Sequence, residues 1–169
     1  GKIESGYTVQ MLKDENYTVA DLKDFLTATQ LRGDGVTPIF NATEMRAAGF
    51  TAAELTEARY TAGDLRGVFS ATELKDVGHS VQELHDGGFT VAEMKTALYN
   101  AGQLTGIYHA QEMHDGGYRV DDMKEAGHGV DDLKDSYEMD EIFEGGFTNA
   151  SDLFSDGEGY SINQLKTIK

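Results

Sequence analysis

The hydrophobic positions of this chain recur about every ten residues. In residues 89–95, FTVAEMK, Phe89 is followed by Val91 two residues later and by Met94 five residues later, and the residues between them are small or polar. This spacing places the three apolar side chains on one face of a short helix. The pattern therefore predicts a helix that begins directly after Phe89 and buries a single apolar stripe.

The polar residues of the same stretch predict where that helix begins. Thr90 stands at the N-cap, where its hydroxyl can accept a hydrogen bond from the backbone N–H of Glu93. The Glu93 carboxylate can in turn accept a hydrogen bond from the backbone N–H of Thr90, which completes a capping box. Phe89 and Met94 flank this box where a hydrophobic staple forms, and Glu93 lies where the helix dipole favours a negative charge.

The arrangement recurs along nearly the whole sequence, so we number each repeat from its usually aromatic first residue, position 1. Position 1 is occupied by Tyr7, Tyr17, Leu26, Phe40, Phe50, Tyr60, Phe69, His79, Phe89, Tyr99, Tyr108, Tyr118, His128, Tyr137 and Tyr160. Position 6 is occupied by Leu12, Leu22, Leu31, Met45, Leu55, Leu65, Leu74, Leu84, Met94, Leu104, Met113, Met123, Leu133, Ile142 and Leu165. An acid or Gln precedes position 6 in nearly every copy, and Met11 is the clear exception. A degraded copy follows Phe147, with Asn149, Asp152 and Leu153 as cap, N3 and N4.

The end of each repeat is marked by glycine, which allows a helix to end in the left-handed conformation. Glycine directly precedes position 1 at Gly49, Gly78, Gly88, Gly117, Gly127, Gly146 and Gly159. The repeats that begin at Tyr17, Tyr60, Tyr99 and His128 have only nine residues and end in DF, GV, GI or DS. We expect these four repeats to turn their corners differently.

Helices of about two turns must pack on one another, because isolated helices shorter than roughly 12 residues are marginal in water. Their apolar stripes form a continuous core only if the chain coils. The sequence therefore predicts an all-α fold, an α-solenoid of very short helices. Residues 1–169 are expected to form a single array of about 16 repeats, with loop insertions at residues 32–39 and 154–159.

The predicted roles are structural for the residues that carry the repeat. These are Phe50, Thr51, Glu54, Leu55, Phe69, Glu73, Leu74, Glu83, Leu84, Phe89, Thr90, Glu93, Met94, Tyr118, Met123 and Leu133.

The repeat resembles the short tandem repeats of the form [FY]-[ST]-x-x-E-L-[KR]-x-x-G that occur in assorted microbial and algal proteins. The resemblance extends from residue 7 to about residue 166. It is specific for the type of repeat, and it implies no catalytic residues in this chain.

The acidic composition limits the kinds of molecule that this protein is expected to bind. Thirty Asp and Glu against 14 Lys and Arg give a formal net charge of -16, so we expect a protein partner with a basic face and no direct binding of nucleic acid. No apolar run reaches the roughly 18 residues that a membrane-spanning helix needs, so no membrane insertion is expected. The absence of cysteine excludes disulfides and thiolate metal sites. No signal segment is visible, which slightly favours an intracellular location.

Four features suggest chemistry, and in each case the repeat offers a structural explanation. The five histidines, His79, His85, His109, His114 and His128, fall on repeat positions, and no metal or other cofactor is expected. In paired acids such as Asp121-Asp122, the second acid occupies the N3 capping position. A structural role therefore explains these acids, and no catalysis is expected. Arg32, Gly33 and Asp34 spell an adhesion tripeptide, although Gly33 also suits a helix end. Residues 154–161 resemble a calcium loop, but Phe154 and Leu165 stand where oxygen ligands are required.

The sequence favours a non-catalytic structural or scaffold protein that binds macromolecules through an extended acidic repeat surface, as a subunit of a larger assembly. Self-assembly is a further possibility. The alternative is an acidic protein that mimics nucleic acid and inhibits a DNA- or RNA-binding protein.

Overall fold

The computed structural model describes residues 6–149 and residue 153, and this part of the chain is all-α. Two isolated bridges, Arg66 with Phe69 and Thr105 with Tyr108, occur at corners, but no strand forms among the described residues. The helices are α1 (Val9–Asp14), α2 (Val19–Leu22), α3 (Ala28–Arg32), α4 (Ala42–Ala47), α5 (Ala52–Glu57), α6 (Ala62–Leu65), α7 (Ala71–Asp76), α8 (Val81–Asp86), α9 (Val91–Thr96), α10 (Ala101–Leu104), α11 (Ala110–Asp115), α12 (Val120–Glu125), α13 (Val130–Leu133) and α14 (Met139–Glu144). The predicted fold class is confirmed.

The predicted capping box forms at the start of most of these helices. At α9 the Glu93 carboxylate accepts the backbone N–H of Thr90 at 2.7 Å, and the Thr90 hydroxyl accepts the backbone N–H of Glu93 at 3.3 Å. At α1, where Met11 replaces the acid, only the Thr8 hydroxyl caps the helix. In the degraded copy after Phe147, the N–H of Leu153 donates to the carbonyl of Asn149 at 3.3 Å, while Asp152 lies outside the described residues.

Four helices, α11 to α14, keep only one half of the box. Their N-cap residues are His109, Arg119, Gly129 and Glu138, whose side chains accept no capping hydrogen bond. The acid at position 5 still accepts the N-cap backbone N–H, for example from His109 to Glu112 at 2.8 Å. This half alone satisfies one of the backbone donors that a helix start leaves open.

Helix ends follow the glycine prediction in the ten-residue repeats. Gly49, Gly78, Gly88, Gly117, Gly127 and Gly146 all have φ between 84° and 97°. Asn16, Arg59 and Leu98 take the same left-handed conformation with φ of 67°, 66° and 58°, which the sequence analysis did not foresee. Gly159 lies outside the described residues.

The nine-residue repeats do turn differently, and their helices are shorter than the two turns expected. Helices α2, α6, α10 and α13 have four residues each, against five or six elsewhere in the described part. After α6 and α10 the chain makes a tight turn through Gly67 and Gly106, which have φ of 78° and 83°. After α2 and α13 the chain continues from Lys23 and Lys134, which keep right-handed helical angles.

The core is formed by positions 1, 3 and 6 of the repeats, and position 9 joins it at Ala58 and Ala97. In the repeat that begins at Phe89, the exposed fractions of Phe89, Val91, Met94 and Ala97 are 3%, 4%, 0% and 3%. The remaining positions of that repeat are wholly or partly exposed. Burial of this single stripe is what stabilises helices that are too short to persist alone.

The chain divides into two compact halves, Gly1–Gly88 and Phe89–Lys169, which we describe separately. In the N-terminal half α3 packs on α5 and α6 packs on α8. In the C-terminal half α9 packs on α11, α10 on α12 and α12 on α14. Each half is therefore a solenoid in which a helix packs on the second helix along the chain, with two repeats in each coil.

Candidate interaction surface

In several repeats a cation at position 7 contacts the third repeat after its own. The ammonium group of Lys95 donates to the carbonyl of Gly117, lies 4.8 Å from the ring centroid of Tyr118 and is 4.0 Å from the Asp122 carboxylate. It thus contacts a helix end, a position 1 ring and a capping acid together. The helix dipole and the ring both favour a positive charge there.

The same contact recurs in both halves. The Arg46 guanidinium lies 4.1 Å from the ring centroid of Phe69 and 3.2 Å from the Glu73 carboxylate. The Lys124 ammonium lies 4.6 Å from the ring centroid of Phe147. Each such exposed pair contributes little alone, about 0–1 kcal/mol. Their repetition means that these cations serve the array. Two further cations, Arg119 and Lys134, pair with Asp121 at 3.4 Å and Asp131 at 3.2 Å, so the exposed acids at the end of the described part are balanced only in part.

Two histidines at position 1 also contact position 7 of the third repeat before their own. His79 and His128 occupy position 1, and their Nε2 atoms lie 3.0 Å and 2.9 Å from the hydroxyl oxygens of Thr56 and Thr105, which occupy position 7 three repeats earlier. His79 is buried. Both imidazoles therefore have a structural partner within their own half.

His114 also contacts the third repeat after its own. Its Nε2 lies 3.3 Å from the Glu141 carboxylate, and its ring meets that of Tyr137 edge-on at 4.6 Å. Across residues 6–149 and residue 153, no group of three or more His, Asp and Glu side chains is arranged to hold a metal ion.

The capping acids are committed to the fold. The pKa of Glu54 is lowered mainly because its carboxylate accepts a hydrogen bond from the backbone N–H of Thr51, and also because it accepts one from the Thr51 hydroxyl. The pKa of Glu83 is lowered by the equivalent bonds from Ser80. Such shifts accompany structural hydrogen bonds as well as catalysis, and here the capping geometry explains them.

The adhesion tripeptide lies in the insertion between α3 and α4, which protrudes as a loop closed at its base by the Ile39 N–H bond to the Arg32 carbonyl at 2.8 Å. The Arg32 guanidinium folds back into this loop and donates to the carbonyls of Gly33 at 3.3 Å and Gly35 at 3.0 Å. It also lies 5.7 Å from the ring centroid of Tyr60. Asp34 is therefore the only charged side chain that the tripeptide extends into solvent.

The exposed acids become denser toward the end of the described part. Residues 118–144 contain ten Asp and Glu against three Lys and Arg. Position 4, which is exposed in every described repeat, holds Asp121, Asp131 and Asp140 in three consecutive repeats. In the eleven preceding repeats the same position is neutral: Gln10, Ala20, Thr29, Thr43, Ala53, Gly63, Thr72, Gln82, Ala92, Gly102 and Gln111. The fold does not require an acid there.

We define the acidic surface as Asp121, Glu125, Asp140 and Glu144, the exposed residues at positions 4 and 8 of the contacting helices α12 and α14. Positions 4 and 8 are neighbours on a helix, as the hydrogen bond from Gln82 to Asp86 at 2.8 Å shows elsewhere in the chain. A groove of about 350 Å³ between the start of α12 and the end of α14 is lined in part by Asp121 and Glu144.

The residues to which a structural role was assigned lie either in the core or at helix starts. The rings and aliphatic residues are buried except for Phe50, which is half-buried, and Thr51 and Thr90 cap their helices. The calcium-like stretch and the insertion at residues 154–159 lie outside the described residues. No described helix is long and apolar enough to span a bilayer.

The sequence analysis missed the close approach of helix ends to the helix two repeats earlier. A Cβ atom on Gly116 would lie 2.3 Å from Cγ1 of Val91, and one on Gly145 would lie 2.3 Å from Cγ1 of Val120. A signal was present, since in these pairs a bulky Val at position 3 coincides with Gly at position 9 two repeats later.

A family model described as "Decapeptide repeat region" matches residues 68–136. The match supports the identification of short tandem repeats and covers less than half of the chain. No curated protein and no solved structure matches the sequence.

Proposed function

We propose that the protein is a non-catalytic scaffold that binds a basic protein partner through its acidic surface, as a subunit of a larger assembly. The observation that carries this proposal is the replacement of neutral residues by Asp at position 4 in three consecutive repeats. Because the same position tolerates Gln, Ala, Thr and Gly elsewhere, the fold alone does not account for the acids.

Electrostatic repulsion within the acidic surface also favours a basic partner. Like charges on neighbouring helices repel one another, so acids at Asp121, Glu125, Asp140 and Glu144 weaken the packing of α12 on α14 slightly. Part of that cost is offset because Asp121 and Asp140 lie in the first turn of a helix. Asp121 also pairs with Arg119 at 3.4 Å, and Asp140 accepts the backbone N–H of Glu141 at 3.1 Å. A basic partner removes the remaining repulsion and gains speed of association from the same field.

The test compares two variants with equal net charge. Asp121→Gln with Asp140→Gln introduces the residue that the chain itself uses at Gln10, Gln82 and Gln111. The control, Glu57→Gln with Asp76→Asn, removes two exposed charges from the N-terminal half. Binding of a short Lys- and Arg-rich peptide is followed by fluorescence anisotropy at low and high ionic strength.

We expect the first variant to bind about two- to thirtyfold more weakly at low salt, because two exposed pairs are lost at roughly 0.2–1 kcal/mol each. The control should bind as the unaltered protein does, and high salt should weaken binding in all three. Equal weakening in both variants would mean that net charge alone attracts the peptide, and the proposed surface would then be wrong.

The same acidity motivates the alternative of a nucleic-acid mimic. Competition with duplex DNA for a basic DNA-binding protein distinguishes the two, because a mimic displaces the DNA and a scaffold without that geometry does not.

A further inference from the structure

Aspartate followed by glycine occurs four times in this chain, and three of the pairs lie among the described residues. They are Asp34-Gly35 in the loop between α3 and α4, Asp86-Gly87 at the end of α8 and Asp115-Gly116 at the end of α11. The fourth pair, Asp156-Gly157, lies outside the described residues. The chain therefore holds one reactive dipeptide in two different structural settings.

Asp-Gly is the dipeptide in which an aspartyl side chain most easily reacts with its own backbone, because glycine places no side chain beside the attacking nitrogen. The backbone nitrogen of Gly attacks Cγ of a protonated Asp carboxyl group, a C–N bond forms, the C–O bond breaks and water leaves. Water then opens the resulting succinimide. When water attacks the carbonyl carbon next to Cα, the chain runs on through Cβ and Cγ as isoaspartate, with no net change in mass.

The two helical pairs are held against this reaction. The N–H of Gly87 donates to the carbonyl of Glu83 at 2.9 Å, and the Asp86 carboxylate accepts a hydrogen bond from Gln82 at 2.8 Å. The hydrogen bond from Gln82 also lowers the pKa of Asp86, which reduces the protonated, reactive fraction.

The pair at the end of α11 is held in the same way. The N–H of Gly116 donates to the carbonyl of Glu112 at 2.9 Å, and the Asp115 carboxylate accepts a hydrogen bond from Gln111 at 2.9 Å. At both helix ends the helix must open locally before the glycine nitrogen can reach the side chain.

Asp34-Gly35 has neither restraint. Within the described part of the chain, no hydrogen bond engages the Asp34 carboxylate or the Gly35 N–H. Arg32 donates to the carbonyls of Gly33 and Gly35 and so holds the peptides on either side, while no hydrogen bond in the described part holds the peptide between Asp34 and Gly35. Asp34, Gly35 and Val36 are exposed, and Val36 is 98% exposed, so water reaches the loop.

We propose that Asp34 is a site of spontaneous isoaspartate formation in the folded protein, and that the fold protects Asp86 and Asp115 from the same reaction. The product keeps its negative charge and lengthens the loop backbone by one carbon. Because the loop lies outside the stacked helices, the array tolerates this change.

The experiment ages the full chain in neutral buffer with gentle warming and then digests it. Peptide fragmentation that cleaves the Cα–Cβ bond of isoaspartate quantifies the product at each Asp-Gly pair. In the folded protein we expect product at Asp34 and at least roughly tenfold less at Asp86 and Asp115, because both need local opening. In urea the three rates should converge. Asp34→Glu, which keeps the charge and lengthens the side chain, should abolish the signal in that peptide.

Two results would overturn the proposal. The first is product at Asp86 or Asp115 as fast as at Asp34 in the folded protein. The second is a ratio of rates in urea equal to the folded ratio, since that would assign the difference to neighbouring residues and not to the fold.

Discussion

Substitution of Gly116 by Ala isolates the packing of one coil on the next. Gly116 has φ of -77° and ψ of -3°, angles that any residue adopts, so an added methyl group strains no backbone dihedral. Its Cβ atom would nevertheless lie 2.3 Å from Cγ1 and 2.6 Å from Cβ of Val91, and 3.1 Å from the nitrogen of Ala92. The first two distances are far inside van der Waals contact, so α9 and the end of α11 must separate.

The magnitude follows from two opposing effects. Ala in place of Gly reduces the entropy of the unfolded chain and favours folding by about 0.5–1 kcal/mol. Overpacking of a close contact costs about 1–3 kcal/mol and leaves gaps around the displaced helix. We expect a net loss of about 1–2 kcal/mol in the free energy of unfolding of the C-terminal half.

Gly102→Ala is the matched control, because Gly102 lies in the same half, inside α10, with φ outside the left-handed range. A Cβ there would meet its nearest atoms, Oδ1 of Asn100 and Cβ of Ala126, at 3.5 Å and 3.8 Å, which is ordinary contact. The same substitution should therefore stabilise the protein by up to about 1 kcal/mol. If packing decides the outcome, the free energy of unfolding should fall for Gly116→Ala and rise for Gly102→Ala, although the chemical change is the same.

The assay is urea unfolding followed by far-UV circular dichroism. Because repeat arrays can unfold in segments, exchange of the Gly116 amide, which donates to Glu112, reports the local effect. Addition of Val91→Ala to Gly116→Ala should recover part of the loss, since Ala101 and Ala126 already form this combination at the same repeat positions. If Gly116→Ala were as stable as the unaltered protein, the close approach of these helices would be refuted.

Three further predictions test single contacts. Leu98→Gly should raise the free energy of unfolding by up to about 1 kcal/mol in thermal unfolding, because Leu98 is 85% exposed and has a left-handed φ of 58°. The control Leu98→Ala keeps the Cβ atom and should show no such gain. Tyr137→Phe should lower stability by about 0.5–1.5 kcal/mol in urea unfolding, because the buried hydroxyl donates to the Tyr118 carbonyl at 2.9 Å; an unchanged midpoint would contradict this. The pKa of Glu54 is lowered from 4.5 by the Thr51 hydrogen bonds, so its contribution is present above pH 4.5 and is lost as the pH falls through the folded pKa. In a series of unfolding measurements at different pH, Glu54→Gln should reduce the fall in the free energy of unfolding below pH 4.5. If that fall were unchanged in the variant, Glu54 would not be its source.

The local features of the fold could be predicted because their causes lie within one repeat. Thr90 and Glu93 are three residues apart, which is the spacing that a capping box requires, and Gly88 precedes the ring where a left-handed residue is needed. Arg59 and Leu98 show the limit of this reasoning. They take the glycine conformation because the corner between two packed helices imposes it, and nothing in their own chemistry indicates it.

The contacts between repeats could not be predicted, because they depend on how far the chain advances in each coil. Lys95 reaches Tyr118 and Asp122 only because two repeats complete a coil and bring the third repeat within the length of a lysine side chain. The number of helices in a coil was not evident from the sequence. The candidate surface was anticipated only as a general negative charge, since its location depends on which positions face solvent in α12 and α14.

The prediction of one array over residues 1–169 stays a prediction, and so does the partner, but the repeat itself limits where a function can reside. Positions 1, 3 and 6 form the core, positions 2 and 5 cap the helix, position 7 links coils and position 10 turns the corner of the ten-residue repeats. Position 4 varies from Gln, Ala, Thr and Gly to Asp, whereas position 8 turns the corner at Gly67 and Gly106. The proposed binding role therefore rests mainly on position 4. The change from neutral to acidic residues at position 4, which begins at Asp121, carries the proposed binding role, because the neutral residues at this position elsewhere show that helix packing does not need an acid there.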